Sequence, residues 1–238
     1  MKRTFVPENF NVDNVEEVKA LYQSLLNEEI PNSPEALRAW ILKWSELGSV
    51  LSEVSCRRYV AMTVNTQDEA AAKAYEDFVS NVDPVSNEYG DKLNKKLMAH
   101  PAKDKLKDEF GVWFRSVQVS LDLFSPANIP LETEEMIAIQ AYQKITGGMS
   151  VEFDGGIKTM QQLSAYLEKT DRNLRERAFR TMWDRRLKDK DALDASFDKL
   201  FQIRNKIAKN AGCKDFIDYI FLAKRRFESV GQRGSIRM

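Results

Sequence analysis

The side chains able to do chemistry are sparse in this sequence. One histidine, His100, stands among 238 residues. It precedes Pro101 at a predicted helix break, where a histidine serves as a capping or surface residue. A zinc site needs several His, Cys or carboxylate ligands at set spacings. A His-Glu-x-x-His helix needs two histidines, so this sequence cannot build one. Cys56 and Cys213 have no second Cys and no His at ligand spacing. Two free thiols is the simpler reading, with a disulfide between them left open. No Gly-x-Ser-x-Gly elbow and no Gly-x-x-x-x-Gly-Lys loop occurs. Gly147-Gly148 and Gly155-Gly156 resemble pieces of a phosphate loop, but they sit at the ends of a predicted hairpin, where turn geometry explains them. The expectation is therefore no catalytic residue, no metal ligand and no cofactor-binding residue in this chain.

Charge offers more. The pairs Asp68-Glu69, Asp108-Glu109 and Glu134-Glu135 lie at predicted helix starts or on charged faces, where they stabilise the helix dipole. Arg172, Arg175, Arg177, Arg180, Arg185 and Arg186 are denser than solubility needs. Arg172, Arg175 and, one turn on, Arg180 could hold a peptide carboxylate in a bidentate grip. Asp171, Glu176 and Asp184 nearby support the plainer reading of an ion-paired, solvated face. Net charge is zero overall, yet residues 1–169 carry 18 Lys/Arg against 26 Asp/Glu and residues 170–238 carry 18 against 10. The basic end is expected to meet the acidic remainder of the same chain. It lacks the aromatic interleaving of a single-strand binder, so no nucleic acid is expected.

These residues must be held by helices. Apolar residues are 43% of the chain, with only ten Gly and seven Pro, which suits a helical fold with a real core. The organising stretch is 170–213, read as one long helix or two nearly collinear ones. Leu174, Ala178, Met182, Leu193, Phe197, Leu200, Ile203 and Ile207 recur at helical spacing on one face. Thr170 and Asp171 can cap its start and Gly212 its end. Upstream, helices are predicted over 14–28 (Val15, Val18, Leu21, Tyr22 and Leu25 inward) and 34–64. The second is capped by Ser33 with Pro34 at its first position. Its seam is Leu37, Trp40, Trp44, Leu47, Leu51 and Val54; the two tryptophans read as core, with a ligand groove as the alternative. Thr66 and Glu69 form a predicted capping box for a helix to Val79, making an antiparallel pair with the one before.

Further helices are predicted over 83–98, 102–121 and 133–146, with 125–132 as a connector. Met149–Phe153 then alternates as a strand does, Asp154-Gly155-Gly156 signals a tight turn, and Ile157-Lys158 begins the return. Thr159 caps a helix to about Glu168, and a short helix follows over 214–224. The fold class is thus mainly α, with long antiparallel helical hairpins and one small β-hairpin near 149–158. Regions are expected at 1–13 (extended lead-in), 14–125 (helical hairpins), 126–227 (β-hairpin plus long helix) and 228–238 (frayed tail). The N-terminus has no apolar run behind its basic residues, and no run reaches bilayer length. A cytoplasmic protein with no membrane partner is expected.

Three segments together resemble the N-terminal part of the oligoendopeptidase F family, zinc metallopeptidases related to thimet oligopeptidase. They are Asn128-Ile-Pro-Leu-Glu132 with Tyr142-Gln-Lys-Ile-Thr-Gly147; Met149-x-Val-x-Phe-Asp-Gly155 with Lys158-Thr159 and Gln162-Leu163; and Asp171-Arg172-x-x-Arg175-Glu176-x-Ala178 with Leu193-Asp194, Phe197-Asp198 and Arg204 through Gly212. Weaker agreement extends upstream through Trp44, Leu47, Glu53 and Met62-Thr63, so the likeness runs over most of 40–227. It implies a helical lobe forming one wall of a channel for short peptides. It also implies zinc and a His-Glu-x-x-His helix farther along the family's chain, at positions this sequence does not have. After Lys224-Arg-Arg-Phe227 the pattern stops, which is read as a truncation or shifted frame. The expected function is the non-catalytic N-terminal part of such a peptidase, inactive alone, with oligopeptides and a missing catalytic half as implied partners. The alternative is a stand-alone helical module that binds peptides or a protein.

Overall fold

The computed structural model describes residues 3–226; the expected frayed tail at 228–238 lies outside them. The fold is mainly α, with one two-stranded antiparallel sheet. Residues 3–13 run as bends and turns rather than as a straight extended lead-in, and they bury Val6 and Val12. One carboxylate fixes this segment. Glu46 Oε1 accepts from the backbone N–H of Thr4 (2.9 Å), Phe5 (2.9 Å) and Val6 (2.8 Å), while Oε2 accepts from the Thr4 hydroxyl (2.8 Å). Burial alone would raise the Glu46 pKa; the hydrogen bonds from Val6, Phe5 and Thr4 outweigh it and hold the pKa at about 2.

Five helices build the first and largest core. Helix α1 (Val15–Asn27) starts on an Asn14 cap and buries Val18, Tyr22 and Leu25. Lys96 on α4 closes its other end, donating to the carbonyls of Leu25, Leu26 and Glu28, three of the acceptors a helix C-terminus leaves unpaired. Helix α2 (Pro34–Val64) starts as expected, with the Ser33 hydroxyl accepting from Ala36 N–H at 3.1 Å and Pro34 in the first turn. Its seam buries Leu37, Trp40, Leu47 and Leu51 and half-buries Trp44 and Val54. The Trp40 indole N–H donates to Leu25 O at 2.9 Å, so its one polar atom is paired inside the core.

Helix α3 (Glu69–Asn81) packs back on α2 across a short turn. Its cap is Asp68, which accepts from Ala71 N–H at 3.0 Å, and not Thr66. Asp is the stronger cap, and Thr66 lies close against Gly147, where a Cβ would come within 2.5 Å of its hydroxyl. Helices α4 (Asp83–Ala99) and α5 (Lys107–Leu123) complete the layer. The helix after Pro101 begins as a 3-10 turn, Pro101–Leu106, and His100 caps that turn with Nδ1 accepting from Ala102 N–H at 3.2 Å.

The remaining elements form two smaller cores. Helix α6 (Ile129–Gly147) starts four residues before the expected Thr133, because Pro130 suits a first helical turn and the connector supplies only the 3-10 turn Pro126–Asn128. Strands β1 (Ser150–Phe153) and β2 (Gly156–Thr159) pair in the register Ser150–Thr159 to Phe153–Gly156. Their turn places Asp154 at φ 51° and Gly155 at φ 78°, both left-handed, as a two-residue hairpin loop requires. Thr159 and Gln162 form a reciprocal capping box on α7 (Met160–Ser164).

The stretch 170–213 divides at Asp189 into α8 (Arg172–Lys188) and α9 (Lys190–Asn210). Asp171 alone caps the start, and Gly212 at φ 73° closes the end, with Cys213 N–H donating to Ala208 O at 2.9 Å. The two halves serve different cores. Ala178 and Met182 of α8 pack with Phe153, Met160 and Leu163, whereas Ile203 and Ile207 of α9 pack with Ala138 of α6. Phe197, expected on the inward face, is exposed. The rest of the expected face after the break holds: Leu193 packs with the α8 core, and Leu200, Ile203 and Ile207 pack with α6. Helix α10 (Phe216–Ala223), capped by Asp215, packs on α9 and α5.

Candidate functional site

Helix α8 carries the arginines, and most are engaged within the chain. The Arg175 guanidinium donates to the carbonyls of Lys169 (2.7 Å) and Thr170 (2.9 Å), closing the turn that leads into its own helix. Arg180 pairs with Glu176 one turn back (2.8 Å), and Arg185 pairs with Asp189. Arg177 lies over the Phe153 ring and Arg186 over Trp183. Arg172 stays exposed. Of the three guanidiniums considered for a carboxylate grip, Arg175 and Arg180 are thus committed to local structure. Both cysteines are free thiols. Among the described residues no group of three or more His, Cys, Asp or Glu side chains converges as a metal would require.

Sequence reasoning missed an acidic junction where α4, α6, α9 and α10 meet. Glu132 on α6 accepts from the Asn87 side chain at 2.9 Å. Burial, then the charges of Glu135 and Asp83, raise its pKa to about 7. Asp83, in the first turn of α4, is raised to about 6 by burial. Tyr219 of α10 is pushed up to about 12, first by burial and then by Glu132 and Glu135. Glu135 is answered by Arg204 of α9 at 2.7 Å; among the described residues no Lys or Arg forms an ion pair with Glu132. Beside this junction a polar cleft of about 290 Å³ is lined by Asn87, Asp91, Asn94, Ser120, Tyr219 and Arg225. Nearby, the buried Asn128 donates to Ile207 O (3.1 Å) and accepts from the Asn210 amide (2.9 Å), tying the start of α6 to the end of α9. A lone Glu or Asn in a polar run gives no sequence signal of this kind. Only the meeting of four helices creates it.

Two apolar features are open to solvent. A groove of about 800 Å³ runs between α2 and α5, with Trp44, Phe110 and Trp113 as its wall and Ser45, Gly48, Ser49 and Ser52 as its floor. Trp44 stacks edge-on with Trp113 at 5.8 Å, which joins this wall to the core. The second feature lies on α8, α9 and α10 and includes a hollow of about 390 Å³ among Phe197, Phe201, Phe216 and Ile217. Trp44 therefore belongs partly to both readings made of it: half-buried on the core side and groove-lining on the other. No helix of the described residues is long and apolar enough to cross a membrane.

The described residues form a helical lobe with one small hairpin and two apolar features open to solvent. Residues 5–124 match the model of the peptidase M3 N-terminal domain, and the chain belongs to that family. Over a longer span the fold resembles a Bacillus anthracis str. Ames protein assigned as an oligoendopeptidase F, with TM-score 0.82, 20% identity and 95% of this chain covered. It also resembles PZ peptidase A, solved with an inhibitor, with TM-score 0.83, 22% identity and 94% covered. The chain spans only 42% and 40% of the lengths of those two proteins. No curated protein sequence matches it.

Proposed function

We propose that this chain is the N-terminal, non-catalytic lobe of an oligopeptide-cleaving zinc metallopeptidase and does not hydrolyse peptides by itself. The observation that carries the reading is the pairing of a family match at residues 5–124 with a fold that covers nearly all of this chain but two-fifths of its relatives. In this reading the hairpin region 14–125 and the region 126–227 are two parts of one peptidase-like lobe, working in the cytoplasm. Zinc belongs to the portion of the peptidase beyond this lobe. Held there by ligands fixed at one place, it would supply a bound water of lowered pKa as the nucleophile. The lobe's contribution is to shape and wall the space that admits a peptide.

The test is cleavage of a quenched fluorogenic peptide by the chain at stoichiometric concentration, with and without a zinc chelator. No chelator-sensitive cleavage is expected. Turnover that a chelator abolishes would refute the reading.

A second reading has its own observation. The groove between α2 and α5, walled by Trp44, Phe110 and Trp113, has the apolar lining and size of a peptide cleft. A stand-alone binding module would use it. Calorimetric titration with short peptides separates the two: saturable micromolar binding that is lost on Trp113→Ala favours the module.

A further inference from the structure

The polar cleft beside the acidic junction holds a charged group that the chain leaves half satisfied. Asp91 on α4 is 8% exposed, and its two carboxylate oxygens differ. Oδ2 accepts from the Lys95 ammonium at 2.6 Å. Oδ1 is buried, and no donor of the described residues reaches it. Among those residues it is the one buried carboxylate oxygen in this state. A buried charged acceptor without a donor has lost its hydration with no compensation. Asp91 lines the cleft of about 290 Å³, near the lower end of the volumes that hold small ligands. Glu132 on α6 lines it too, accepting from Asn87 and forming no ion pair among the described residues. Two carboxylates from two helices thus face one polar space.

The cations around the cleft are already engaged. Lys95 is held on Asp91 Oδ2, Arg204 on Glu135, and Arg225 donates to Ser120 Oγ. What the cleft lacks is a donor, and an ionised donor satisfies a carboxylate best. Asn87, Asn94 and Tyr219 offer further acceptors, while Leu123 and Phe124 give one apolar wall. That wall suits methylene groups and does nothing for a bare metal ion. The ligand set also stops short of a metal's, because no three His, Cys, Asp or Glu side chains converge among the described residues. We propose that this cleft binds a small molecule carrying a primary ammonium on a short aliphatic stem, with the ammonium donating to Asp91 Oδ1 and the Glu132 carboxylate. All of its residues lie in this chain, so it is filled or empty whether or not the chain is a peptidase lobe.

The test is a chemical-shift titration of the full, isotope-labelled chain at pH 8, followed at the side-chain amides of Asn87 and Asn94. Glu132, with its pKa at about 7, is mostly ionised there. The probes are n-butylamine, n-butanol and n-butyrate, which share a stem and differ only at the polar end, and magnesium chloride, all at one ionic strength. n-Butylamine is expected to saturate both amides with a dissociation constant of about 1 mM, the range so small a ligand can reach. n-Butanol should bind at least about tenfold more weakly. Asp91→Asn and Glu132→Gln should each weaken n-butylamine by at least about tenfold. Glu132→Gln removes charge at constant shape, so it decides the matter should Asp91→Asn fail to fold. Equal binding of n-butylamine and n-butanol overturns the ammonium. Saturation by n-butyrate overturns it in favour of an anion at Arg225, and tighter saturation by magnesium overturns it in favour of a metal ion. No shift at either amide up to about 20 mM n-butylamine, or a shift indifferent to Glu132→Gln, overturns the site.

Discussion

Glu132→Gln should raise stability at pH 8 and do little at pH 4. The carboxyl sits among Asp83, Glu135 and Tyr219, with a hydrogen bond from Asn87 and no ion pair among the described residues. Its pKa is about 7 in the fold against an ordinary 4.5. A raised acid favours the fold while protonated. That contribution is complete below pH 4.5, declines as pH rises through 7, and is gone above it. The full span is about 3 kcal/mol at 1.36 kcal/mol per pKa unit, and partial solvent exposure reduces it to about 1–2 kcal/mol. Glutamine keeps the shape and the Asn87 contact without the charge. Urea unfolding at pH 4.5, 6, 7 and 8.5 measures the difference. The wild type should lose stability relative to Glu132→Gln across pH 5–8. Parallel curves over that window would refute the account of Glu132 as a buried acid raised by its acidic neighbours. Glu46, with its pKa near 2, stays ionised throughout and cannot produce the effect.

Three further perturbations test the frame. Glu46→Gln presents amide hydrogens to the Thr4 donors and should cost about 2–3 kcal/mol at pH 7; in the wild type the same stabilisation fades as pH falls from 4.5 towards 2, which acid unfolding monitored by far-ultraviolet circular dichroism can follow. Gly147→Ala drives a methyl to within 2.5 Å of the Thr66 hydroxyl and should cost about 1–3 kcal/mol, most of it recovered in the double variant with Thr66→Ala, as thermal melts would show. Asn128→Ala removes both links between α6 and α9, leaving the Ile207 carbonyl with only its Ala211 N–H donor and the Asn210 amide without its acceptor; a loss of about 1–2 kcal/mol in urea, with faster amide exchange at the end of α9, is expected.

Much of the fold was legible because it is written locally. The Ser33-Pro34 start of α2, the Thr159 box, the Asp154-Gly155 turn and the Gly212 stop are each set by a few adjacent residues with definite backbone needs. The misreadings fall where the deciding neighbour is distant. Thr66 gives way to Asp68 as a cap, and lies where a Cβ on Gly147 would clash, 81 positions on. Phe197 shares α9 with the inward Leu193 and Leu200 but falls between the two cores they pack against, where neither covers it. The candidate surfaces were less legible still. The arginines stood out in sequence, but their partners are local carboxylates and carbonyls. The groove wall at Trp113 and the junction at Glu132 exist only once helices far apart in sequence have packed.

Lys96 closes α1 with all three of its ammonium hydrogens given to carbonyls, beneath the face of Trp40. An amine becomes a nucleophile only through its lone pair, which appears after a proton leaves and those contacts break. Burial lowers the Lys96 pKa, and on that ground alone it should be the more reactive amine. Its geometry imposes the opposite order. Brief treatment with an amine-acylating reagent should label exposed lysines such as Lys73 and Lys107 and spare Lys96. Lys96 should become labelled only as α1 detaches, so its modification rate reports the opening of the first core.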